Sequence, residues 1–184
     1  MNVGGVTTNY PMGYEARRTQ RATSETSFAS TMGKTTGTKN TGFVLHISNE
    51  ADGTAIGSSA DRNGSVTVYK PNDFDPENPV YKVKVWDAAG NVTEERMVDI
   101  SKVDPNHSDY VEMFAYSSHL TDSGECPGAQ DAFMGASFSA GNEGSYFGKL
   151  NWNDIIKEIM QMQYDAGNLA GYAKYKQFWD FLEQ

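Results

Sequence analysis

Beyond residue 42 the chain first alternates apolar and polar positions, then repeats its apolar positions every three to four residues. The first pattern predicts strands and the second predicts helices. In Phe43-Val44-Leu45-His46-Ile47, Phe43, Leu45 and Ile47 share one face. Ser65 to Lys70 sets Val66 and Val68 on one face. Val80 to Asp87 sets Tyr81, Val83 and Val85 against Lys82, Lys84 and Trp86, and Val92 to Ile100 follows directly. Polar residues on one side of each strand predict an antiparallel sheet with one solvated face. Asp87-Ala88-Ala89-Gly90-Asn91 fits a tight turn with Gly90 in the left-handed region, which makes the last two strands a hairpin. Across it Lys82 and Lys84 are expected to face Glu94 and Glu95, with the register open. Pro71, Pro76 and Pro79 make PNDFDPENP a loop, and Asp61-Arg62-Asn63-Gly64 reads as a turn.

Residues 106–184 read as helices. Asn106 or Ser108 caps the first, which runs through Leu120 with Tyr110, Val111, Phe114 and Leu120 inward. A loop follows around Cys126-Pro127, then a short helix over Ala129 to Phe138. Asn151 caps the strongest pattern, in which Trp152, Ile155, Ile156, Ile159, Met160 and Gln163 share a face. Gly167 ends it and Asn168 opens a last helix, with Leu169, Tyr172, Tyr175, Phe178, Trp179 and Leu182 as its stripe. So short a connection predicts an antiparallel αα-hairpin. Its wide apolar faces predict packing against the sheet as well. Phe178 and Phe181 cannot both share the face of Trp179, so one is expected nearer the surface. The expected fold is α+β: a small, four-stranded antiparallel β-meander packed against C-terminal helices. Residues 42–184 form one domain in this reading, with the sheet in 42–100 and the helices in 106–184.

Residues 1–41 differ in kind. They are rich in Thr, Ser, Gly and Asn, and TMGKTTGTKNTG reads as a linker. Within this polar arm Ser24 to Gly33 has the makings of a short helix, with Phe28 and Met32 at i and i+4. Ten residues are too few to hold a helix alone, so it must dock if it forms. Charge sharpens the contrast. Residues 1–40 carry Arg17, Arg18, Arg21, Lys34 and Lys39 against Glu15 and Glu25, which is +3; the whole chain is −9, leaving −12 on the rest. An acidic body repels phosphate backbones, which argues against nucleic-acid binding. Arg17, Arg18, Arg21, Phe28 and Met32 are therefore the candidate partner-binding residues, for another protein or a second copy. Cys126 is the only cysteine, so an intrachain disulfide is impossible. No window holds 18 apolar residues and the N-terminal stretch lacks an apolar signal core. A soluble, cytoplasmic protein with no membrane partner is the expectation.

Candidate chemistry is sparse. Cys126 lies seven residues after His119, with Asp122 and Glu125 nearby. Glu125 beside the thiol would raise its pKa, the wrong direction for a nucleophile. His46, His107 and His119 show no metal-ligand spacing. Asp73-x-Asp75-x-Glu77 begins like a calcium loop, but Asn78 and Lys84 stand where Gly and Glu are required. Phosphate-cradle glycine motifs and a GxSxG setting are missing from the sequence. These readings assign no catalytic residue, no metal ligand and no cofactor.

The stretch Tyr81 to Glu94, YKVKVWDAAGNVTE, looks like the final hairpin of bacterial immunoglobulin-like modules, although the sheet before it is too short for a seven-stranded sandwich. Taken together, GYEARRTQR, DFDPENPVYKVKVWDAAGNVTEERMVD and IMQMQYDAGNLAGY with FWDFL resemble an uncharacterised family of bacterial proteins without assigned activity. That resemblance implies an unknown function and brings no site residues. The expected function is non-enzymatic, a protein-binding or structural module using its arm. Two alternatives are an exported substrate whose arm is an unconventional secretion signal, and an enzyme of an unrecognised type built on His46, His119 and Cys126.

Overall fold

A computed structural model describes residues 45–47, 50–141 and 146–183. The arm, with Arg17, Arg18, Arg21, Phe28 and Met32, lies outside the described residues, as do Phe43 and Val44. The protein is α+β. Its sheet has four antiparallel strands in the order β1-β2-β3-β4: β1 Thr54–Ala60, β2 Gly64–Lys70, β3 Val80–Asp87 and β4 Val92–Asp99. Consecutive strands pair, so the sheet is a meander. The first strand is not where alternation put it. Residues 45–47 form no strand, and β1 is the polar stretch TAIGSSA instead.

Register settles which residues share a face. Val66 pairs with Val85 and Val68 with Val83, while Val98 pairs with Tyr81. All six are 5% exposed or less and form the floor of the core. On β1 the same face presents Gly57, opposite Val68. A Cβ there would lie 2.3 Å from Ser118 Oγ, so glycine lets the first helix approach the sheet. The turn after β3 is as expected: Gly90 has φ +87° and Asp87 Oδ1 accepts from the Ala89 and Asn91 amides, both at 2.9 Å.

The opposite face corrects the expectation of a solvated surface. Thr67 and Tyr69 there are fully buried and Trp86 is 5% exposed. Residues 45–47 and the 3-10 turn Glu50–Asp52 lie against it. The His46 amide donates to Ser65 Oγ at 3.3 Å, and Thr67 Oγ1 donates to the His46 carbonyl at 2.9 Å. The His46 ring centre sits 6.2 Å from that of Trp86. The buried Asp52 carboxylate accepts from Lys82 at 3.0 Å and Lys84 at 2.6 Å, and Glu95 lies 3.3 Å from both. Glu95 thus faces the two lysines as foreseen. Glu94 does not; it pairs across from Val85 on the helix side and meets Arg96.

Four helices follow: α1 Tyr110–Ser123, α2 Ala129–Ser139, α3 Trp152–Asp165 and α4 Leu169–Leu182. The cap of α1 is Asp109 rather than Asn106 or Ser108. Asp109 accepts from the Glu112 amide and Glu112 accepts from the Asp109 amide, a reciprocal capping box. Asp109 also takes an ion pair from Arg96 of β4, which ties the helix start to the sheet. α1 is the middle layer. Tyr110, Val111, Phe114 and Leu120 are all buried, between the sheet on one side and α2 on the other. α3 and α4 form the expected hairpin, capped by Asn151 and Asn168 and turned at Gly167, φ +70°. It packs mainly on α2, and Tyr116 of α1 donates to the Phe181 carbonyl at 3.0 Å. The hairpin's partner is therefore the helical layer and not chiefly the sheet. Phe133 meets the edge of the fully buried Trp152 at 4.9 Å, and the Trp152 indole donates to the Ser108 carbonyl at 2.9 Å. Phe178 is fully buried and Phe181 half-buried, whereas Leu169, read as part of the stripe, is 66% exposed. Among the described residues no helix is long and apolar enough to cross a membrane.

Candidate functional site

A cleft of about 670 Å³ opens where the β1–β2 turn meets α1 and α2. Its position follows from local rules. Asp61 closes the turn by accepting from the Asn63 amide at 2.7 Å and the Gly64 amide at 3.1 Å, both on Oδ1. Gly64 is required behind it, since a Cβ there would meet the Trp86 carbonyl at 1.9 Å. α1 contributes Tyr110 from its first turn. α2 contributes Met134, Ser137 and Phe138, which the helical repeat sets on one side. Tyr146, from the connection into α3, completes the wall.

The cleft is aromatic with a charged lip. The Tyr110 ring centre lies 5.5 Å from that of Tyr146 and 5.2 Å from that of Phe133. Tyr110 donates to Ser59 Oγ at 2.9 Å, with Met134 Sδ at 3.3 Å. Burial, with the Asp61 carboxylate adding to it, pushes the Tyr110 phenol up to about 12. Burial and then Asp61 raise Tyr146 still further. The Tyr146 hydroxyl is buried and has no hydrogen bond of normal length, yet it is near enough to Asp61 to feel its charge. Both phenols therefore stay protonated at neutral pH, and Tyr110 donates to Ser59 rather than acting as a base. Phe138 is 75% exposed at the rim, and Arg62 stands exposed beside Asp61.

The residues singled out from the sequence fall elsewhere. The three histidines are not brought together. His46 lies on the outer sheet face, His107 is exposed in a turn, and His119 is on α1 on the helix side. His119 Nδ1 is 2.9 Å from the Tyr81 hydroxyl. Burial lowers the pKa of His119 and raises that of Tyr81 to about 12. Cys126 is 1% exposed and burial raises its thiol, so it lacks both the access and the thiolate a nucleophile needs. Asp75 spends its carboxylate on the Glu77 amide and the Asn78 side chain, as a turn residue does. Among the described residues no group of three or more His, Cys, Asp or Glu side chains converges as a metal site requires. Sequence reasoning missed the cleft because Tyr110 reads as core and Asp61-Arg62 as a turn. The available signal was the charged pair Asp61-Arg62 standing in a turn beside the short, polar stretch that becomes β1. Comparison with protein families, curated proteins and solved structures finds no match to this chain.

Proposed function

We propose that this chain is a non-enzymatic protein-binding module whose N-terminal arm engages a partner, another protein or a second copy, through Arg17, Arg18, Arg21, Phe28 and Met32. The observation that carries it is the anchorage just after the arm. His46 is bonded through its backbone to β2, and Asp52 is held by two lysines of β3. The arm therefore joins the body at a fastened point on the outer sheet face. The charge division supports it further: five basic residues against two acidic ones in residues 1–40, on a chain that is otherwise strongly acidic. A basic cluster followed by apolar side chains at helical spacing is a usual pattern of a recognition segment.

The test compares the full chain with its R17A/R18A/R21A/F28A/M32A variant. Sedimentation and chemical cross-linking in native extract should show the wild-type chain in a larger assembly that the variant loses. Thermal unfolding of the body should be the same in both. Identical sedimentation and identical cross-linked species would remove the arm from any binding role.

A further inference from the structure

We infer that the cleft between the β1–β2 turn and α2 is a binding site for a small ring-bearing zwitterion, of the class of an aromatic α-amino acid. This inference is independent of the role of the arm. The volume of about 670 Å³ lies within the range of small-molecule sites. The lining divides into two parts that match the two parts of such a ligand. One part is apolar: Tyr110 and Tyr146 on the wall, Phe138 and Met134 at the rim. Phe138 is 75% exposed and Met134 36%, and a flat ring seated against them would take them out of water.

The other part is charged. Asp61 spends Oδ1 on two amides of its own turn, and its carboxylate also lies close to the Tyr146 hydroxyl on the cleft wall. Arg62 is exposed and, among the described residues, forms no ion pair, so the lip of the cleft carries one charge of each sign side by side. A lone cation would be drawn to Asp61 but repelled by Arg62, and a lone anion would meet the reverse. An ammonium and a carboxylate one carbon apart satisfy two side chains that are neighbours in the chain. The Ser59 and Ser137 hydroxyls, both lining the cleft, add hydrogen-bonding capacity along its wall.

Calorimetric titration of the full chain with three probes tests this: L-phenylalanine, phenethylamine, which lacks the carboxylate, and 3-phenylpropanoate, which lacks the amine. L-Phenylalanine should bind about tenfold more tightly than either one-charge analogue. D61N keeps the oxygen that closes the turn but removes the charge. It should weaken L-phenylalanine and phenethylamine and leave 3-phenylpropanoate within about twofold. R62Q should do the opposite. F138A should weaken all three alike, and circular dichroism should show every variant folded. Absence of saturable L-phenylalanine binding to the wild-type chain overturns the assignment. So does binding of all three probes with equal affinity, or insensitivity of L-phenylalanine to both D61N and R62Q.

Discussion

The two faces of the sheet are buried by different physics. Toward the helices, Val66, Val68, Tyr81, Val83, Val85 and Val98 lie under α1, and the interior is apolar. Away from the helices, Ser65, Thr67, Lys82, Lys84 and Glu95 lie under a short length of chain carrying His46 and Asp52. The first face holds its cover by area removed from water, which charge screening does not weaken. The second holds its cover by hydrogen bonds and ion pairs, which are weak near solvent and screened. One sheet can thus have a permanent cover and a conditional one. The conditional cover is made by residues 45–47 and Asp52.

The largest effect is expected from the permanent cover. Phe114→Ala empties a fully buried site between sheet and α2, and should cost about 3–5 kcal/mol in urea unfolding, at any ionic strength. A loss below about 1 kcal/mol would mean that α1 is not the keystone of that face. Asp52→Ala comes next. It strips Lys84 of its 2.6 Å partner and should cost about 1 kcal/mol at low salt, shrinking as salt is added. If it costs as much as Phe114→Ala and ignores salt, the contrast between the faces disappears.

The smallest effect concerns acid. Burial keeps the His119 pKa below its unfolded value of about 6.5. In the window beneath 6.5 the unfolded chain binds a proton that the folded chain resists, so stability rises with pH there and falls on acidification. His119→Asn, which keeps an acceptor for Tyr81, should flatten that slope by less than ~1 kcal/mol between about pH 7 and 5. An unchanged slope would show that His119 is not its source. Asp87, held low by the Asn91 side chain, and Glu95, held low by Lys82, act in a separate window. Their contribution is present above the ordinary carboxylate range and is lost below it, about two pH units lower than the histidine effect.

Much of this architecture was legible because period and burial coincide in it. β2, β3 and β4 alternate, α3 and α4 repeat every three to four residues, and Asn151, Gly167 and Asn168 mark their ends. β1 was illegible for a physical reason. Its residues are small and polar, it makes no apolar stripe, and it is a strand because β2 offers it an edge and α1 demands a glycine at 57. FVLHI misled in the converse way. Its alternation is real, yet residues 45–47 are held by the side chains of Ser65 and Thr67 and not by a backbone ladder. Trp86, read as facing solvent, is buried because that segment covers it. The cleft could not be read at all, since its parts are far apart in sequence and each has an ordinary local role.

A meander of four strands ends in two strands with one neighbour each, and among the described residues β1 and β4 pair only inward. Such borders invite other chains to add on and start fibres or precipitates. β4 answers with Glu94, Glu95 and Arg96 in direct succession, so an incoming strand in any register must lie beside fixed charge. β1 answers with the register shift around Ile56, which breaks the even spacing a new strand would have to match. Concentrated solutions of this protein should therefore resist sheet-to-sheet aggregation even though Val92 and Met97 stand exposed at that border.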